Sequence, residues 1–345
     1  MDERKSAGAG TPLLEVRHLK KYFSIPRKGN LHAVDDVSFQ VYPGETLGLV
    51  GESGCGKSTV GNVIMQLHKR TDGEIYLSGK DVFRPDADKN EFCRNVQIIF
   101  QDPYSSLNPR KTIKDILSEP LLIQKLAKKG PELDHVLSEL CQTVGLSEDL
   151  LNHYPHELDG GMRQVVGIAR ALSLNPSFIV CDEPVSALDV SVQAKIINLL
   201  MDLQKQRGLS YLFISHDLSV VRHISNRIAV MYLGQIVEMA DTDTIFNNAM
   251  HPYTIALMSA VPKVSVDKKV SRIVLAGDVP SPMNPKPGCR FAPRCWMACP
   301  ECSQCTPDLK EVEPGHFVSC MYAATSRERA KTAETTSVEK MMEAK

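Results

Sequence analysis

The chain has 345 residues, 43% of them hydrophobic, which is enough for two domains or for one large domain with an appendage. Its formal net charge of −1 excludes a global electrostatic attraction to nucleic acid or to anionic membranes. No apolar run approaches about 20 residues, and the polar N-terminal segment lacks the apolar core of a secretory signal. We therefore expect a cytoplasmic protein that does not itself span a bilayer.

The first hundred residues predict strands interrupted by one helix. Alternation of apolar and polar residues predicts half-buried strands, continuous apolar runs predict buried strands, and apolar residues at helical spacing predict a helix. On these patterns we expect antiparallel strands at 13–24 and 32–45, a buried strand at 46–51, a helix at 58–69, an edge hairpin at 73–82 and a strand at 95–102.

From residue 103 onward the pattern becomes helical and then alternates. Helical segments broken by Pro, Gly and polar turns occupy 103–158, and helices alternate with strands from there to about residue 240. This alternation predicts a parallel sheet with helical crossovers. After about residue 240 the alternation of helices and strands becomes weaker. Residues 261–288 are rich in Pro and Lys and predict an arm. Residues 323–345 have no aromatic residue and predict a mobile tail.

The segment GESGCGKST follows the predicted buried strand and opens a helix. Its glycines let successive backbone N–H groups converge on phosphate oxygens, and the helix start adds a partial positive charge. We expect Lys57 to reach the β- and γ-phosphates and Ser58 to bind Mg²⁺. The predicted nucleotide-binding residues of this loop are Gly51, Glu52, Ser53, Gly54, Cys55, Gly56, Lys57, Ser58 and Thr59.

Polar residues end three other predicted strands. In FIVCDEP, we expect Asp182 to hold Mg²⁺, directly or through water, and Glu183 to polarise a water for attack on the γ-phosphate. In YLFISHD, His216 is a candidate contact to the γ-phosphate, and Gln101 offers a neutral oxygen to Mg²⁺ or water. Because α/β sheets bind ligands at the carboxyl ends of their strands, these side chains predict one catalytic site.

Together these motifs resemble those of ATP-binding cassette (ABC) subunits over about residues 13–240. The resemblance implies an α/β fold with a RecA-like P-loop core, an antiparallel β subdomain and an inserted helical subdomain at about 103–160, within a nucleotide-binding domain at 11–240. It also implies that Tyr22, in LKKYF, stacks on adenine. The matching D-loop residues are Ser186, Ala187, Leu188 and Asp189.

Several segments are similar to the ATP-binding subunits of oligopeptide/dipeptide importers, namely FQDPYSSLNPR, EPVSALDVSVQAKIINLL, MYLGQIVE and HPYT. This similarity implies an ATPase that energises peptide import from the cytoplasmic face of the cell membrane, where it is peripheral. The implied partners are a second ATP-binding subunit, two transmembrane permease subunits and an extracytoplasmic peptide-binding protein. Each ATP would lie between the phosphate loop of one subunit and the signature turn of the other, which in this chain is residues 159–162.

Other functions stay open at this point. A nickel or other small-solute importer is an alternative, because motor subunits look alike and substrate choice resides elsewhere. A soluble ABC ATPase acting on nucleic acid or ribosomes is an alternative of another class. The single cassette and the lack of a basic stripe or a long coiled-coil insertion argue against it, so we expect no nucleic-acid partner. A redox sensor is a third alternative, and it would require ATPase activity that depends on the oxidation state of a metal cluster bound by the C-terminal cysteines.

The signature turn departs from the family pattern. The usual LSGGQ is LDGGM here, with Asp159 and Met162 flanking Gly160 and Gly161. An ionised Asp159 about 4 Å from a γ-phosphate would be repelled by roughly 4 kcal/mol at an effective dielectric of about 20. We therefore predict a heterodimer with one degenerate ATP site. The alternative is that Asp159 caps a helix, where a carboxylate is favourable.

Six of the ten cysteines fall within 289–320 of a C-terminal extension predicted at 241–322. Disulfides explain such clustering poorly in a reducing cytoplasm, whereas a [4Fe–4S] cluster or zinc explains it better. Resemblance to the importer branch implies a [4Fe–4S] cluster, with zinc as the alternative. The ligands matching the branch are Cys289, Cys295, Cys302 and Cys320, and Cys299 and Cys305 are alternates.

Overall fold

The computed structural model describes residues 10–261, 273–275 and 277–326. The arm predicted at 261–288 lies partly outside these residues, as does the tail predicted at 323–345 beyond residue 326. The strands in the described part are β1 Leu14–Ile25, β2 Gly29–Val41, β3 Thr46–Val50, β4 Asp72–Leu77, β5 Lys80–Asp81, β6 Val96–Ile99, β7 Phe178–Asp182, β8 Ser210–Ile214, β9 Arg227–Tyr232, β10 Gln235–Asp241, β11 Lys310–Glu313 and β12 His316–Val318.

Ten α-helices accompany these strands in the same residues. They are α1 Lys57–Ile64, α2 Lys89–Asn95, α3 Pro103–Ser106, α4 Ile113–Ile123, α5 Pro131–Val144, α6 Gly160–Leu172, α7 Val190–Arg207, α8 Leu218–Ile224, α9 Thr242–Asn248 and α10 Pro252–Ser259. Helix α1 is shorter than the predicted 58–69, because Gln66 adopts a left-handed φ of 58° just after its end. No helix among the described residues has both the length and the apolar character needed to cross a membrane.

The strands form two sheets. A four-stranded antiparallel sheet has the order β2-β1-β4-β5, and a mixed eight-stranded sheet has the order β11-β12-β10-β9-β3-β8-β7-β6. Helix α1 packs between the sheets, where Val60, Val63 and Ile64 are fully buried. The predicted parallel sheet with helical crossovers is confirmed for the five strands β3, β6, β7, β8 and β9.

The register of the parallel strands aligns their carboxyl ends. Leu49 of β3 is level with Ile214 of β8, and Ile214 is level with Asp182 of β7. In β6, Ile99 is level with Cys181. The polar residues that follow these strands therefore share one edge of the sheet, as predicted.

The extension after residue 240 contributes to the main sheet, which the sequence patterns did not indicate. Strand β12 pairs with β10 through Glu238 and Val318, and β11 pairs with β12. Short strands without clear alternation carry little periodic signal, so this hairpin escaped sequence reasoning. The chain remains packed beyond residue 322, because Ser326 is fully buried and its hydroxyl donates to the Met250 carbonyl.

Candidate active site

The phosphate loop joins β3 to α1, and its conformation depends on glycine. Gly56 has a φ of 107°, and a Cβ here would lie 2.0 Å from the carbonyl oxygen of Ala33. Lys57 is 5% exposed. Its Nζ donates hydrogen bonds to the carbonyl oxygens of Gly51 at 2.8 Å and Glu52 at 3.1 Å. The loop backbone thus holds the ammonium group in place.

An oxygen pair suited to Mg²⁺ lies next to this loop. The Ser58 hydroxyl donates to Oδ1 of Asp182 at 2.8 Å. Burial raises the pKa of the Asp182 carboxyl, and the hydrogen bond from Ser58 opposes this effect. Mg²⁺ prefers oxygen ligands, carboxylates in particular. The donor chemistry of this pair therefore fits the metal.

The three predicted catalytic side chains meet at the carboxyl end of β7. The Glu183 carboxylate accepts a hydrogen bond from Nε2 of Gln101 at 2.8 Å, and Nδ1 of His216 lies 3.1 Å from its other oxygen. Glu183 has a φ of 46°, and its N–H donates to the Ile214 carbonyl at 2.9 Å. A glutamate in this conformation is strained, and such strain is concentrated at functional sites.

A cleft of about 610 Å³ joins these groups. Of the predicted residues, 53–59, Gln101, Glu183 and His216 line it, whereas Gly51, Glu52 and Asp182 do not. Sequence reasoning missed several other lining residues. The missed lining residues are Phe23, Leu31, His32, Ala33, Leu233, Gly234 and Pro282.

Tyr22, the predicted adenine-stacking residue, is not among the residues that line this cleft. Its ring stacks on the ring of His32 with centroids 3.8 Å apart, and its hydroxyl donates to Asp35. The aromatic rings lining the cleft belong to Phe23 and His32. Successive side chains of a strand point to opposite faces, and Phe23, next to Tyr22 in β1, lines the cleft that Tyr22 does not line.

Comparison with known proteins identifies the family. The family model described as ABC transporter matches residues 34–186, and the model described as oligopeptide/dipeptide transporter, C-terminal region, matches 237–302. The chain is 52% identical to the putative oligopeptide transport ATP-binding protein YkfD of Bacillus subtilis, over 90% of this chain and 95% of that protein. This chain belongs to the family of ABC transporter ATP-binding subunits. It is therefore an ATPase.

Other relatives of the ABC subunit agree with this assignment. The present chain is 47% identical to the dipeptide transport ATP-binding protein DppF of Haemophilus influenzae, over 90% of this chain and 97% of that protein. A solved dimeric ATP-binding cassette in a post-hydrolysis state with ADP and phosphate is 30% identical, with a TM-score of 0.59. That match covers 66% of this chain and 98% of that chain. The predicted α/β cassette fold is confirmed at this level.

The signature turn of the ABC subunit is partly exposed, because residues 160–162 are half-buried. Asp159 is exposed and caps helix α6, since its Oδ1 accepts the N–H of Met162 at 2.7 Å. The glycines of the turn pack against the D-loop and α7, because a Cβ on Gly161 would lie 2.7 Å from Val192. Asp189 caps α7 through the N–H groups of residues 191 and 192. The predicted capping role of Asp159 is therefore present.

The structure does not support a metal centre among the cysteines. No group of three or more His, Cys, Asp or Glu side chains in the described residues is placed to hold a metal ion. The sulfurs of Cys299 and Cys302 lie 3.3 Å apart, and Cys305 is exposed. Burial, assisted by neighbouring cysteine thiolates, raises the pKa of Cys295 to about 12 and that of Cys320 to about 11.

Proposed function

We propose that this ABC subunit hydrolyses ATP in the cleft beside its phosphate loop and thereby energises peptide import. One observation carries the proposal. The Glu183 carboxylate is held between Gln101 and His216 at the same sheet edge as Lys57 and the Ser58–Asp182 pair. A base, a cation and oxygen ligands for a metal are the groups that phosphoryl transfer to water requires.

Each residue has a defined task in this mechanism. Lys57 provides positive charge for the β- and γ-phosphates, and Glu183 accepts a proton from the attacking water. Gln101 orients that carboxylate by a hydrogen bond to one oxygen, and His216 does so through Nδ1, which lies 3.1 Å from the other oxygen. Ser58 and Gln101, with Asp182 behind, would hold Mg²⁺, which when bound would neutralise phosphate charge.

The placement of the signature turn supports the proposed assembly. Residues 159–162 and the D-loop residues 186–189 do not line the cleft that the phosphate loop lines. The exposed Asp159 at the start of this turn suits a second ATP-binding subunit, which would present its own turn to this chain's ATP. We propose that the dimer is a heterodimer in which Asp159 makes the partner's ATP site degenerate.

The transported substrate is proposed from the relatives, whose names specify oligopeptides or dipeptides. The proposed partners are two permease subunits, which would bind the helical subdomain at the cytoplasmic face, and an extracytoplasmic peptide-binding protein. The proposed domain limits stay at 11–240 and 241–322. Uptake of labelled peptides, but not of nickel, by the reconstituted complex would support this choice.

Substitution of the catalytic base tests the ATPase mechanism. In the assembled transporter, Glu183→Gln should lower kcat by about 10²- to 10⁴-fold, because the water loses its proton acceptor. ATP binding should persist, because Lys57 and the loop are unchanged. The matched control is Glu139→Gln on the exposed face of α5, which should retain full activity. Full ATPase activity of Glu183→Gln would refute the mechanism.

We also propose that Cys289, Cys295, Cys302 and Cys320 hold a [4Fe–4S] cluster, with zinc as the alternative. The support is the donor set, four thiols that influence one another's pKa values. Since no three of them converge in the described structure, binding requires their side chains to rearrange. Iron and sulfide analysis of anaerobically purified protein tests the proposal, and a colourless, zinc-containing sample would favour the alternative.

A further inference from the structure

A segment of the C-terminal extension, residues 289–295, forms ion pairs with Glu52 and Asp35, which lie next in sequence or close to residues that line the ATP cleft. Arg294 grips the carboxylate of Glu52 in the phosphate loop with two hydrogen bonds, Nη1 to Oε2 at 2.7 Å and Nη2 to Oε1 at 3.2 Å. The Arg294 side chain is 8% exposed and that of Glu52 is 28% exposed. A two-pronged contact of this kind fixes both the position and the orientation of the carboxylate.

Glu52 connects this arginine to the catalytic lysine. The Glu52 carbonyl accepts a hydrogen bond from Nζ of Lys57 at 3.1 Å. The Glu52 N–H donates to the hydroxyl of Tyr253 at 2.9 Å. Two groups from distant parts of the sequence, Arg294 and Tyr253, therefore hold one residue of the loop, and that residue in turn helps to hold Lys57.

The charge of Glu52 gives the arginine a second task. An uncompensated carboxylate in the loop would repel a triphosphate, since like charges interact strongly in a partly buried site. The guanidinium of Arg294, which belongs to the extension, neutralises the negative charge of the Glu52 carboxylate. The loop can then present the positive charge of Lys57 without a competing anion.

The arginine is anchored by its neighbours. Phe291 is 1% exposed and contacts the rings of Tyr232, Tyr253 and His251, with centroids 5.3 to 5.7 Å apart. Arg290, which directly precedes Phe291 in the sequence, donates hydrogen bonds to the Leu233 carbonyl and to Asp35. Leu233 lines the cleft. The segment is therefore fixed before ATP arrives, which reduces the entropic cost of holding the loop.

We propose that Arg294 is a positioning residue for ATP hydrolysis, which neutralises Glu52 and holds the phosphate loop in the conformation that receives the triphosphate. The proposal deepens the function of the extension and rests on the proposed ATPase site. It predicts that Arg294 governs the KM for ATP more than kcat, because it touches the loop and not the reacting atoms.

The test uses the assembled transporter and measures kcat, the KM for ATP and the melting temperature. Arg294→Gln should raise the KM for ATP about tenfold and change kcat less than about threefold, as expected for lost ground-state binding. Adding Glu52→Gln to this variant removes the carboxylate that has lost its arginine partner, and should bring the KM for ATP back to within about threefold of wild type. Arg294→Lys keeps the charge but loses the fork, so its KM should rise by only about threefold.

A matched control separates positioning from simple stabilisation. Arg227 forms a comparably buried ion pair with Glu45, but it lies at the beginning of β9, level with Leu47 near the beginning of β3. Arg227→Gln should lower the melting temperature and leave the KM for ATP unchanged. Wild type and Glu183→Gln, measured in parallel, show whether the ATPase mechanism itself holds.

Two results would overturn the proposal while wild type remains active and Glu183→Gln inactive. The first is an unchanged KM for ATP in both Arg294→Gln and Arg294→Lys. The second is a raised KM in Arg294→Gln that Glu52→Gln fails to lower, because the arginine would then act only as a structural bridge.

Discussion

At the start of helix α6, the carboxylate of Asp159 accepts the N–H of Met162 at 2.7 Å. This contact satisfies one of the backbone donors that every helix start leaves without an intrahelical partner. The same carboxylate places a negative charge on the turn that we propose faces the partner's γ-phosphate. Asparagine and serine cap helices about as well as aspartate, so capping and charge can be separated by substitution.

We predict that Asp159→Ser and Asp159→Asn raise ATP turnover by the assembled complex severalfold, because the repulsion of the partner's ATP is removed. Neither change should shift the free energy of unfolding by more than about 0.5 kcal/mol. Asp159→Ala, the control, removes the cap as well and should cost about 1 kcal/mol. Turnover and nucleotide stoichiometry that stay unchanged in the Ser and Asn variants would contradict the degenerate-site proposal.

At the scale of elements, helices α6 and α7 approach closely where α6 begins. A Cβ on Gly161 would lie 2.7 Å from Cγ1 of Val192, whereas one on Gly160 would lie 3.4 Å from Leu188. The second glycine of the signature is thus required by the packing of two helices. This packing requirement is independent of nucleotide binding.

We predict that Gly161→Ala destabilises the subunit by about 1–3 kcal/mol, because the new methyl group overpacks the contact with Val192. Gly167 offers a control on the same helix, since a Cβ there meets nothing within 4 Å. Gly167→Ala should stabilise by up to about 1 kcal/mol through helix propensity. Urea unfolding checks both changes, and the idea fails if Gly161→Ala unfolds like Gly167→Ala or if adding Val192→Ala brings no recovery.

The parts of the site that sequence reasoning found are those that strand ends bring together. Glu183, His216 and Gln101 are far apart in the chain, but each follows a parallel strand, and the sheet aligns such ends regardless of separation. Arg294 was not found, because the extension lacks a periodic pattern that would show its path. Tyr22 was predicted to stack on adenine from the family resemblance, whereas its neighbour Phe23 lines the cleft, because adjacent side chains of a strand point to opposite faces.

At the scale of the whole molecule, a buried carboxylate joins the main sheet, helix α10 and the extension. Glu238 of β10 is 0% exposed and accepts the N–H groups of Met250 and His251 at 2.6 and 2.9 Å. Nε2 of His316, from β12, lies 2.7 Å from the same carboxylate. The charge of Glu238 is therefore compensated by groups from two later segments, which ties the extension to the core.

Next to this junction, His251 caps helix α10, where its Nδ1 accepts the N–H of Tyr253 at 3.1 Å. Burial lowers the pKa of His251 to about 4, and the charge of Glu238 opposes this effect. Between the unfolded pKa of about 6.5 and the folded value, the unfolded chain binds a proton that the folded chain does not. Stability should therefore be complete above the unfolded pKa and fall as the pH drops through this window.

We predict that the free energy of unfolding falls by roughly 3 kcal/mol from this residue between pH 6.5 and 4. His251→Asn keeps a side-chain acceptor at the helix cap but has no titrating ring, so its loss over the same window should be smaller by the same amount, roughly 3 kcal/mol. His135→Asn on the exposed face of α5 is the control and should follow wild type. Urea unfolding at both pH values decides, because equal acid losses in wild type and His251→Asn would mean that His251 is protonated in the folded subunit.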